Sequence, residues 1–134
     1  MKKFILIGLF LILILIFGSI RHLTSLESQE EIKLEFSSGP CNTSIDPYDQ
    51  SNLGIKEVKW LDETILEIKA YVSINCMEEI EDGDYRIEGN KIILTYKSPR
   101  CKEICAECLC AHELTYKFLN LKRRNYQFEL ERIE

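Results

Sequence analysis

Six cysteines are the side chains of this sequence best equipped for chemistry, and four of them crowd into ten residues: Cys101, Cys105, Cys108 and Cys110. His112 stands two positions further on, so Cys101-x3-Cys105-x2-Cys108-x-Cys110-x-His112 gathers four sulfurs and an imidazole within twelve residues. As thiolates, these side chains suit zinc, copper(I) or an iron–sulfur cluster, with His112 as a further ligand. Oxidised together with Cys41 and Cys76, they form an even set of six, the arithmetic of a disulfide framework.

The spacing separates these options in part. It matches neither the paired C-x2-C zinc pattern nor the ferredoxin runs, so the metal set of Cys101, Cys105, Cys108, Cys110 and His112 is the alternative expectation. Cys105-x2-Cys108 is a bare redox motif without the helix start and βαβ surroundings that lower a thiol pKa, which makes a thiol–disulfide redox protein the remotest reading. Structural disulfides are the leading expectation, with no cofactor. Six cysteines allow 15 complete pairings, and spacing alone does not choose among them. It does disfavour Cys108 to Cys110, which would close a strained ring. Bridging Cys41 or Cys76 to the late cluster would close a loop of about 25–70 residues and contribute about 3–4.5 kcal/mol by loop entropy.

Other features point to less. Asn42-Thr43-Ser44 fits the N-glycosylation acceptor pattern and makes Asn42 a candidate modification site. Glu78, Glu79, Glu81, Asp82 and Asp84 have oxygens for calcium but not the EF-hand spacing, so they read as a solvated acidic turn. Lys122-Arg123-Arg124 could touch an anionic lipid or polymer, although three bases at a polar turn are ordinary loop chemistry. The chain has no G-x-S-x-G, no H-E-x-x-H and no Gly-rich phosphate loop, and only His22 and His112 for histidine chemistry. It is therefore expected not to be an enzyme.

Period-2 alternation supplies the elements that would position the cysteines. It is clearest from Thr64 to Asn75, where Leu66, Ile68, Ala70, Val72 and Ile74 are apolar and Glu67, Lys69 and Ser73 are among the residues between them. Shorter alternations run over residues 32–36, 55–60, 85–87, 91–96, 114–118 and 126–130. Glu88-Gly89-Asn90 reads as a tight hairpin turn. Residues 37–52 and 98–110 read as long loops, and 120–125 as a polar turn. About seven half-buried strands without an amphipathic helix predict an all-β fold, a small antiparallel β-sandwich. The closing Tyr126-x-Phe128-x-Leu130 strand resembles the last strand of immunoglobulin-like sandwiches, a likeness that implies architecture and no function.

In front of this domain, residues 4–20 are Phe, Ile, Leu and Gly with a single Ser, behind Lys2 and Lys3. Seventeen residues make about 25 Å of helix, near the lower limit for a membrane span. No position offers small residues at both −3 and −1 for signal cleavage. Residues 1–22 are expected to be an N-terminal transmembrane anchor, or else a signal whose cleavage would release the protein as secreted. Residues 23–31 read as a polar stalk, and residues 32–134 as a Cys-rich β-sandwich domain. Lys2, Lys3 and the terminal amine outweigh Arg21 and favour a cytoplasmic N-terminus with the domain outside. Beyond residue 20 the chain carries 15 basic and 22 acidic side chains, too acidic for a general nucleic-acid binder. The expectation is a single-pass extracytoplasmic module that meets a protein or envelope partner.

Overall fold

A computed structural model describes residues 30–102 and 105–134. Among these residues no helix is long and apolar enough to cross a membrane; the apolar run at 4–20, with Lys2, Lys3, Arg21 and His22, lies outside them, as does most of the stalk. The domain has seven strands: β1 (Lys33–Cys41), β2 (Gly54–Trp60), β3 (Leu66–Asn75), β4 (Asp82–Glu88), β5 (Lys91–Lys97), β6 (Leu109–Leu119) and β7 (Gln127–Ile133). They form a four-stranded sheet in the order β1-β6-β3-β2 and a three-stranded sheet in the order β4-β5-β7. A four-plus-three split is that of constant-type immunoglobulin sandwiches, but the order of strands along each sheet is different.

The alternation in β3 decides which face lies inward. Leu66, Ile68, Ala70, Val72 and Ile74 are all buried, and the residues between them are half-exposed. From β6, Leu114, Tyr116 and Phe118 pack on the same side. Ile92, Leu94 and Tyr96 of β5 meet them from the other sheet. Burying each large aliphatic side chain contributes about 1.5–3 kcal/mol. The two sheets are also joined through the core by a hydrogen bond, Tyr116 Oη donating to the Thr95 carbonyl at 2.8 Å. Burial holds that phenol well above the ordinary tyrosine range.

Three sequence expectations are corrected. The pairing is not wholly antiparallel, because β5 and β7 run parallel. After β5 the chain crosses to the other sheet, runs back along β6, and returns at the end where β5 began, so β7 must point the same way as β5. Residues 37–41 are not loop but the continuation of β1. Pro40 is tolerated there because β1 is an edge strand, and the register shifts between Ser38 and Cys41. Likewise Asp82 and Asp84 belong to β4 rather than to an acidic turn.

Two glycines are required by geometry. Gly89, at φ 64°, is the first central residue of the two-residue β4–β5 turn, a place that favours glycine in a type II′ hairpin. Gly83 has the Phe36 ring lying where a Cβ would stand. Central strand β5 is buried on both faces, Ile93 and Thr95 included. Over its outer face Arg86 of β4 reaches Glu131 of β7 through two parallel bonds of 3.0 Å, so a fork-to-fork ion pair spans β5.

Candidate functional site

The cysteines assemble at one end of the sandwich. All six are paired: Cys41 with Cys110, Cys76 with Cys108, and Cys101 with Cys105, at Cα separations of 5.5, 5.7 and 5.6 Å. These separations are ordinary for disulfides. Strand register explains the first two. Asn75 lies opposite Leu109, so the next pair outward brings Cys76 to Cys108, where the Cys76 amide donates to the Cys108 carbonyl at 3.2 Å. Cys41 lies opposite His112 on the other side of β6, within reach of Cys110. The C-x-C spacing of Cys108 and Cys110 thus staples β6 to both of its neighbours. Cys101 and Cys105 close a small ring inside the β5–β6 connection.

This pairing leaves the alternative ligand set without thiolates. Cys101, Cys105, Cys108 and Cys110 are divided among three bonds, and His112 Nδ1 lies 3.0 Å from the Gly39 carbonyl oxygen. Among the described residues no group of three or more His, Cys, Asp or Glu could hold a metal ion. The Cys105–Cys108 redox pair is likewise not formed, since each sulfur bonds elsewhere. Asn42 sits just beyond β1, its Oδ1 accepting from the Ser44 amide at 3.0 Å in an Asx turn.

Beside the disulfides lies an ion pair that the sequence did not reveal. Arg132 of β7 donates from Nη2 to Glu78 Oε2 at 2.8 Å, with side-chain exposures of 20% and 8%. The Glu78 carboxylate also accepts from the Cys101 amide at 2.9 Å and the Asn75 amide at 3.2 Å. Arg132 further donates to the carbonyl of fully buried Ser98 through Nε at 3.0 Å and Nη2 at 2.8 Å. Asn75 Nδ2 donates to the Ala106 carbonyl at 2.6 Å. One charge-assisted network therefore ties the ends of β3, β5 and β7 to the Cys101–Cys105 ring. Burial pushes the Glu78 carboxyl up. The Cys101 and Asn75 amides and the Arg132 guanidinium more than offset this and hold it below the ordinary glutamate range. The sequence signal was only an acid among acids; nothing in it distinguishes Glu78 from Glu79.

A cleft of about 400 Å³ opens next to this network. Pairing of β2 with β3 ends at Gly54 opposite Tyr71, so from Val72 to Asn75 strand β3 has a strand neighbour only on the β6 side. The Cys76 amide points to β6 and the Asn75 amide points away from it, to Glu78. By alternation, the Ser73 backbone faces the open side. Tyr48 and Leu53 of the β1–β2 connection line the cleft, with Tyr96, Leu130 and Arg132 from the other sheet. Ser73 Oγ, also at the cleft, is buried and has no hydrogen-bond partner among the described residues.

No protein-family model, no curated protein and no solved structure matches this chain.

Proposed function

We propose that the protein is a single-pass, membrane-anchored module whose disulfide-stapled β-sandwich stands outside the cytoplasm. There it serves as an interaction or envelope-structural domain, immunoglobulin-like in architecture with its own strand order. The observation that carries this reading is the pairing of every cysteine within about 100 residues that follow an apolar run behind two lysines. Disulfides persist in oxidising compartments, and small exported domains use them to supplement a limited core. The surface assigned to a protein partner is the cleft beside β3. On the open side of β3 the Ser73 backbone offers hydrogen bonds to an extended segment, the Asn75 backbone being engaged with Glu78.

Topology tests the reading most simply. With the full chain expressed in cells carrying a C-terminal tag, a membrane-impermeant protease added to spheroplasts is expected to remove the tag while a cytoplasmic marker survives. A tag protected until the membrane is lysed would overturn the proposal.

A further inference from the structure

The opposite end of the domain is built differently, and it is the end at which the chain arrives. The Glu31 carbonyl accepts from Asn120 Nδ2 at 3.3 Å, and β1 begins at Lys33 opposite Leu119. At this same end β2 finishes in Trp60, followed by Leu61, which is 46% exposed. The β6–β7 turn beside them carries Lys122, Arg123 and Arg124, all exposed. The Trp60 ring is held in place: it stacks on Tyr126 with centroids 6.5 Å apart, and the Arg123 guanidinium lies 5.9 Å from its centroid.

The acids at this end include Glu31, where the chain arrives, and Asp62 and Glu63 beside Trp60, all exposed. Glu63 pairs with Arg123 at 3.4 Å. Asp62 accepts from the Thr64 and Ile65 amides at 2.6 and 2.7 Å. Among the described residues, Lys122 and Arg124 have no carboxylate within ion-pair distance. The result is a held indole with an exposed leucine beside it and two uncommitted cations. Indoles favour the bilayer interface, and clustered bases favour anionic headgroups. Ten residues separate the apolar run at 4–20 from Glu31. Even fully extended they span no more than about 36 Å, so in an anchored chain this end lies within reach of the membrane surface.

We infer that this end of the domain docks on an anionic lipid surface, with Trp60 and Leu61 at headgroup depth and Lys122 and Arg124 on lipid phosphates. The inference rests on the reading of residues 4–20 as an anchor. It places the disulfide end and its cleft away from the bilayer, since the ten residues of β3 span about 33 Å.

Trp60 is the sole tryptophan of the chain, which makes it a clean probe. The full chain is reconstituted into vesicles of phosphatidylcholine alone or with added phosphatidylglycerol. Trp60 emission is then quenched either by lipids brominated near the headgroup or by aqueous acrylamide, and alkaline carbonate washing reports separately whether the chain is integral. With phosphatidylglycerol, Trp60 is expected to be quenched by brominated lipid and shielded from acrylamide. High salt should abolish this, and the double substitution Lys122→Gln/Arg124→Gln should cut the ratio of docked to undocked domains on the order of thirtyfold. Both side chains are exposed, so the variant keeps the fold. A chain that resists carbonate but shows the same acrylamide access in both vesicles, with or without the two substitutions, overturns the inference. A chain that washes off yet shows phosphatidylglycerol-dependent quenching overturns the anchor and keeps the docking surface. Washing off without such quenching overturns both.

Discussion

At the end of the sandwich marked by Cys76 and Cys108, the connections between strands are long and polar: residues 42–53, 76–81 and 98–108. They are secured by disulfides and by the Glu78–Arg132 network. At the end marked by Trp60 and Tyr126, the connections are residues 61–65, 89–90 and 120–126, with no disulfide among them. There the chain is held by side-chain caps, such as Asp62 on the Thr64 and Ile65 amides, and by stacked rings. The difference follows from composition. Long polar connections bring few apolar side chains to bury, so covalent closure replaces burial. Short turns need only the right backbone chemistry.

The comparison is broken most forcefully by removing the bond that closes the longest loop. The Cys41–Cys110 disulfide spans 69 residues, shortened to a loop of about 38 by the Cys76–Cys108 bond inside it, and its loss in Cys41→Ala/Cys110→Ala is expected to cost about 3.9 kcal/mol in denaturant unfolding. Removing Cys101–Cys105, only four residues apart, should cost about 1.9 kcal/mol by the same reasoning. Equal losses would mean that loop closure does not set their contributions.

Next in size is the ion pair. Arg132→Met leaves the Glu78 carboxylate buried with its main counter-charge gone, at a cost of about 3 kcal/mol. The pH dependence has a definite sign. Glu78 titrates lower folded than unfolded, so its contribution is complete above its ordinary value of about 4.3 and fades as pH falls through the lower folded value. Acid titration of stability should therefore be less steep in Glu78→Gln than in the parent. An unchanged acid limb would show that Glu78 is not held low.

Gly83→Ala comes third. The added methyl would overlap the Phe36 ring, which packs against Tyr116 at 5.0 Å, and overpacking of this kind costs about 1–3 kcal/mol in thermal or denaturant unfolding. The smallest effect has the opposite sign. Ser73→Ala deletes a buried hydroxyl that has no partner among the described residues, and the free domain should be as stable as the parent or up to about 1 kcal/mol more stable. A clear loss of stability would mean that the hydroxyl already has a hydrogen-bond partner.

How far the sequence foretold this molecule depended on whether a feature is local. The alternation of β3 was legible because a strand buried on one face imposes period 2 on its own residues. The Gly89-Asn90 turn was legible because its backbone calls for a residue tolerant of positive φ. The second half of β1 was not, since an edge strand accepts the Ser, Gly and Pro that elsewhere signal a loop. The parallel β5–β7 pair was hidden because strand direction there is set by the excursion of β6 into the other sheet. For the cysteines, ring strain disfavoured Cys108–Cys110, but the actual partners depend on a register that only the assembled sheet supplies. Glu78 and Arg132 lie 54 residues apart, and neither has a local pattern that marks it.

The central claim is that a covalent framework, not a cluster of free thiolates, secures the cleft end. Disulfide mapping tests it most directly: the full chain is alkylated without reduction, digested, and its linked peptides are identified by mass. The expected result is no alkylated cysteine and three linked pairs, Cys41 with Cys110, Cys76 with Cys108, and Cys101 with Cys105. Four or more alkylated cysteines in the chain as isolated, with stoichiometric bound metal, would contradict the account.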